Sequence, residues 1–167
     1  MMMKLYRQEA ANLRMTLIAG IVSVDDVVQW AESRIASLDE YDDELTDLFL
    51  ASKTTPQDVE PMLRRLGQDA DQNDAIRFLM GRMHRALLEN RSRARDFARL
   101  LDRLWIENRN TISEDLNFMA GVDDDFCLAE QGTYGTIDGA IDYLIEQTKQ
   151  FNNNSEPTDA ASAIRGP

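Results

Sequence analysis

An all-α fold, a single irregular domain of seven or eight helices, is what this 167-residue sequence predicts. Two observations carry that expectation. Apolar residues recur at three- and four-residue intervals through most of the chain, with no sustained two-residue alternation of the kind a strand needs. A hydroxyl residue followed three positions later by a carboxylate recurs at Ser23 and Asp26, Thr55 and Asp58, and Thr111 and Glu114. The hydroxyl can accept from an orphan amide of the first turn, and the carboxylate meets the positive end of the helix dipole.

The first helix is expected over about 3–19, stopped at Gly20. The second spans about 24–38, with Val24, Val27, Val28, Ala31, Ile35 and Leu38 as an apolar stripe and Trp30 beside it. A short third helix over about 42–52 turns Leu45, Leu48 and Phe49 inward. The fourth opens at Pro56, a favourable first position, and closes at Gly67. Pro61 inside it predicts a kink or a late start, because it removes one backbone donor.

A fifth helix over about 73–89 buries Ile76, Leu79, Met80, Met83 and Leu87. The sixth, about 92–109, buries Phe97, Leu101, Leu104 and Trp105. "TISEDLNFMAG" reads as a short seventh helix ended by Gly121, after which "VDDDFCLAEQGTYG" leads to a last helix over about 136–150 with Ile137, Ile141, Leu144 and Ile145 inward. Residues 1–151 thus form the domain. From Asn152 the chain is polar and lacks an apolar period, which predicts a disordered tail over 152–167.

Composition bounds function. One domain of this size buries roughly 70% of its unfolded surface and needs no metal or disulfide to fold. Cys127 is the only cysteine, which excludes an internal disulfide and suits a reducing, cytoplasmic setting. No uncharged apolar run reaches the roughly 20 residues that span a bilayer, and the N-terminus lacks the pattern of a signal peptide. The formal net charge of −12 disfavours nucleic acid and anionic membranes and favours a basic protein partner.

No catalytic constellation, metal site or cofactor motif emerges. Asp123, Asp124 and Asp125 fail the calcium-loop template, since Cys127, Leu128 and Tyr134 stand where its fifth ligand, its glycine and its last glutamate belong. They read as first-turn aspartates of a helix. His84, the only histidine, lacks a ligand or a Glu-x-x-His partner at helical spacing, and reads as a satisfied boundary side chain unless a carboxylate converges on it. Cys127 follows three aspartates that disfavour a thiolate, and reads as inert and partly buried. Gly132, Gly135 and Gly139 miss the phosphate-loop and dinucleotide spacings and read as helix stop and turn.

Two charged features remain. Arg91, Arg95, Arg99 and Arg103 are spaced by four, so each lies only about 40° around the helix from the last, and like charges at that spacing repel. Residues 77–109 hold nine Arg and four acidic residues, a balance of +5 inside a strongly acidic chain. Intramolecular pairing with acidic helices such as "DEYDDELTD" is the favoured explanation, ahead of an external anion and of nucleic acid. That acidic run supplies Asp39, Glu40, Asp42, Asp43, Glu44 and Asp47 around Tyr41. It reads either as a solvated loop and helix start or as a docking face for a basic protein.

"LIAGIVSVDDVVQWAESRIASLDEYDDELTDLFLASKTTPQDVEPMLRRL", residues 17–66, resembles the opening of small bacterial all-α proteins with a Gly-hydrophobic-Val-Ser turn, a "VVxWA" helix and an acidic link to a Leu-rich helix. Some of these are immunity-protein-like partners of secreted toxins. The resemblance implies a non-enzymatic protein-interaction protein, neutralising a basic toxin, and transfers no catalytic residue. The alternative is a small helical enzyme or ligand-binding domain with an anion site near His84 and the arginine ridge. A homodimer that sets the ridge against an acidic patch is compatible with both.

Overall fold

The computed structural model describes residues 2–155. Among the described residues it contains eight α-helices, three 3-10 turns and no strand. In chain order these are α1 (Met2–Ile18), α2 (Val24–Ser37), α3 (Asp43–Phe49), α4 (Pro56–Leu66), α5 (Gln72–Glu89), α6 (Ala94–Asn108), α7 (Met119–Glu130) and α8 (Ile137–Lys149), with 3-10 turns at Arg91–Arg93, Glu114–Leu116 and Asn152–Ser155. No helix among the described residues is long and apolar enough to cross a membrane. Contacts divide the chain into two compact units, one running to Ile76 and the other from Arg77 to Ser155.

In the first unit, two of the expected capping boxes start two helices. Ser23 Oγ accepts from the Asp26 amide while the Asp26 carboxylate accepts from the Ser23 amide, and Thr55 and Asp58 do the same at α4. The second box fixes the start of α4 at Pro56, so the late start expected from Pro61 does not occur. The helix runs through Pro61, and burial of Val59, Leu63 and Leu66 on one face outweighs one missing backbone bond.

These three side chains join Tyr6, Ala10 and Leu17 of α1, Val27, Trp30 and Ala31 of α2, and Leu45 and Leu48 of α3 in one core. Trp30, expected beside the α2 stripe, is buried together with it. Phe49, expected inward, is 39% exposed, because Leu45 and Leu48 already fill the inner side of so short a helix. The α4 C-cap, Gly67, presses on α1: a Cβ there would lie 2.8 Å from the Ala11 backbone nitrogen.

Half-buried polar groups tie the same helices. The Glu9 carboxylate accepts from Trp30 Nε1 at 2.8 Å and from Arg34 Nε and one terminal nitrogen at 2.7 and 2.6 Å. Glu60 accepts from Arg14 at 2.6 Å and from Arg64 at 3.0 Å. Burial would raise the Glu60 carboxyl, but the hydrogen bonds and charges of the two arginines outweigh it and hold the group below its ordinary value.

In the second unit, Leu79, Met80, Met83 and Leu87 of α5 are fully buried, as are Ala98 and Leu101 of α6. Trp105 is only half-buried, and Ile137 is 50% exposed at the first turn of α8, outside the stripe continued by Ile141 and Leu144.

The seventh helix departs most from expectation. "TISEDLNFMAG" forms only the 3-10 turn Glu114–Leu116, where Leu116 is buried and Asp115 is held by Arg77 at 2.9 and 3.1 Å. The helix begins at Met119 instead and passes straight through Gly121. Gly121 stands in the first turn of α7, where it costs no more than the roughly 1 kcal/mol a glycine costs against alanine in a helix interior. Burial of Met119, Val122 and Phe126, each contributing about 1.5–3 kcal/mol, outweighs it. The stop lies at Gly132, whose φ of +68° is the left-handed conformation glycine adopts freely, and whose amide donates to Ala129 O at 3.1 Å.

The first residues of the expected tail are structured. Phe151 is buried and stacks on Phe118, and Arg85 donates to Asn152 Oδ1 at 3.1 Å, so order extends through Ser155. Residues 156–167 of the expected tail lie outside the described residues.

Candidate functional site

The acidic run occupies the link between α2 and α3 and α3 itself. Its residues divide into two roles. Asp42 is the N-cap of α3: one carboxylate oxygen accepts from the Leu45 amide at 3.0 Å and the other from the Tyr6 hydroxyl at 2.9 Å. Burial, then the bond to Asp42, raises the Tyr6 phenol above its ordinary value and keeps it a donor. Asp42 thus faces α1 and is half-buried.

Asp39, Glu40, Asp43, Glu44 and Asp47 are exposed, and Tyr41 is 78% exposed among them. At about 100° per residue, Asp43, Asp47 and Leu50 stand at i, i+4 and i+7, on the side of α3 away from buried Leu45 and Leu48. Leu50, which caps the helix, is 69% exposed. The outward face of α3 is therefore two carboxylates running into a bare leucine, with Tyr41 just before the helix.

Leu50 is the residue that periodicity alone missed. It stands beside Leu48 and Phe49 in a run that looks uniformly inward. Only its i+7 relation to Asp43 signals otherwise.

The arginine ridge has a different fate, and its expected pairing with "DEYDDELTD" is corrected. Its partners are carboxylates of α7 and α8. Arg91, which lies in the 3-10 turn before α6 rather than on the helix, meets Asp142 at 2.8 Å and Asp138 at 3.9 Å. Arg95 is clamped by α7: it pairs with Asp123, donates to Glu130 at 2.8 Å and to Cys127 Sγ at 3.4 Å, and lies over the Phe126 ring. Asp123, Cys127 and Glu130 stand at i, i+4 and i+7, so α7 presents all three along one side. Burial would lower the Arg95 pKa, but the two carboxylates outweigh it and raise it.

The ridge loses its partners toward its C-terminal end. Arg99 has only Asp96 of its own helix at 3.5 Å, and Arg103 is exposed without an ion pair among the described residues.

The remaining candidates take local roles. Asp123, Asp124 and Asp125 fall in the second turn of α7, not the first, and successive side chains point about 100° apart, so they do not converge. His84 is 7% exposed, with Nδ1 3.1 Å from Ile145 O and 3.3 Å from Thr148 Oγ1. A carbonyl only accepts, so Nδ1 carries a proton in the first of these bonds, which fastens α5 to α8. Comparison with protein-family models, curated proteins and solved structures finds no match to this chain.

Proposed function

We propose that this chain is a non-enzymatic interaction protein that binds a basic protein through the acidic segment Asp39–Leu50, in the manner of an immunity protein that neutralises a basic toxin in the cytoplasm. The observation that carries this reading is the contrast in pairing. Asp123, Glu130, Asp138 and Asp142 of α7 and α8 are used on arginines, while Asp39, Glu40, Asp43, Glu44 and Asp47 are exposed around Tyr41 and Leu50. Unpaired carboxylates speed the encounter with a cationic surface, and exposed aromatic and aliphatic side chains supply area to hold it.

The test is an affinity pull-down from the source cell at low and moderate salt, with the native chain and a variant carrying Asp43→Asn, Glu44→Gln and Asp47→Asn. Asp42 is left in place because its loss would uncap α3. Salt-sensitive retention of a basic protein by the native chain alone is the expected result. Equal retention by both baits, or loss of biological effect on His84→Ala with the fold intact, would shift the assignment to the rival helical enzyme or ligand-binding domain.

A further inference from the structure

Resting on that protein-binding reading, we infer that the contact is the outward face of α3, Asp43, Asp47 and Leu50 with Tyr41 at its head, and that its occupant is a basic amphipathic protein segment. Two carboxylates one helical turn apart are separated by about 6 Å along the axis, and Leu50 follows about 4.5 Å further on. A partner that fits places two Lys or Arg side chains at matching spacing, followed by an apolar side chain over Leu50.

Charge sets the sign of that partner. The first unit carries seven basic and fifteen acidic residues, and Arg7, Arg14, Arg34 and Arg64 are already engaged with Asp69, Glu60 and Glu9. Exposed Ile106 on α6 offers no such selection. Around Ile106 on α6, exposed Arg99 and Arg103 alternate with exposed Asp96 and Glu107, so the charges cancel. Asp42 is excluded from the contact by its bonds to Tyr6 and Leu45, and acts as a positioning residue for the face.

The experiment titrates the full chain with two probes, a synthetic amphipathic peptide of lysine, leucine and alanine, and polylysine of matched charge. Native chain, Leu50→Ser and the pair Asp43→Asn with Asp47→Asn are compared, with circular dichroism to verify that each remains helical. The amphipathic peptide should bind about tenfold more weakly to Leu50→Ser, the loss of one central apolar contact. The carboxylate pair should weaken both probes and flatten their salt dependence, while polylysine should not sense Leu50. If Leu50→Ser left the peptide's affinity unchanged while the carboxylate pair weakened it, the face would be a plain polyanion. The amphipathic assignment would fall and the basic-partner reading would stand. If the native chain bound neither probe, both would fall.

Discussion

The two units are both acidic but dispose of their charge in opposite ways. The first, with seven basic and fifteen acidic residues, spreads Arg7, Arg14 and Arg34 over carboxylates of other segments and leaves a run of carboxylates on α3 and the link before it exposed to water. The second, with ten basic and thirteen acidic residues up to Ser155, places its arginines in a ridge and lays α7 and α8 against it with carboxylates at helical spacing. Clustered like charge is tolerated in the second unit where Arg91 and Arg95 meet carboxylates across a helix interface, and where exposed Arg99 and Arg103 face water. In the first it is tolerated because high-dielectric water screens it. On the proposed reading, steering of a partner belongs to the first unit, and structural pairing to the second.

The comparison is best broken at Arg95. Arg95→Ala removes the partner of Asp123 and Glu130 and should destabilise the second unit by about 2 kcal/mol, read as a fall in denaturant midpoint with unchanged m-value. An effect below about 0.5 kcal/mol would mean that the ridge is as loosely held as an exposed pair. Gly67→Ala is the counterpart in the first unit, whose helices meet through close packing. Its Cβ would collide with the Ala11 backbone, and a cost of about 2 kcal/mol is expected in thermal or chemical unfolding.

Asp42→Ala removes a helix cap and the partner of Tyr6, and should cost about 1 kcal/mol. The variant Asp43→Asn, Glu44→Gln, Asp47→Asn should change stability by less than about 0.5 kcal/mol while abolishing salt-sensitive association. Comparable losses of stability in these two variants would erase the distinction between positioning and contact carboxylates.

Acid sharpens the contrast further. The Glu60 carboxyl is depressed below its ordinary value of 4.5, so its contribution to folding is complete above that pH and is lost as pH falls through the lower folded value. Asp115, held down chiefly by the hydrogen bond from Arg77, follows the same sign from its ordinary 3.8. Glu60→Gln should therefore flatten the fall in stability below pH 4.5, measured as unfolding midpoint against pH.

The all-helical class, the starts of α2 and α4, and the inward residues of α5 were legible because each rests on neighbours within one or two turns. Ser23 with Asp26 and Thr55 with Asp58 are complete capping boxes before any tertiary contact forms. The same local logic failed at Gly121 and at Thr111 with Glu114. Burial of Met119, Val122 and Phe126 against the rest of the unit exceeds what a glycine costs, and capture of Asp115 by Arg77 draws the preceding segment into a turn.

The candidate site divides along the same line. That the chain is acidic, that residues 39–47 concentrate carboxylates around Tyr41, and that Arg95, Arg99 and Arg103 share a ridge are properties of the sequence by itself, since they follow from composition and helical spacing. Which carboxylates meet the arginines and that Asp42 turns inward to Tyr6 were decided only by the tertiary structure. Those outcomes depend on which helices pack together, and such contacts join residues tens of positions apart that no local period connects.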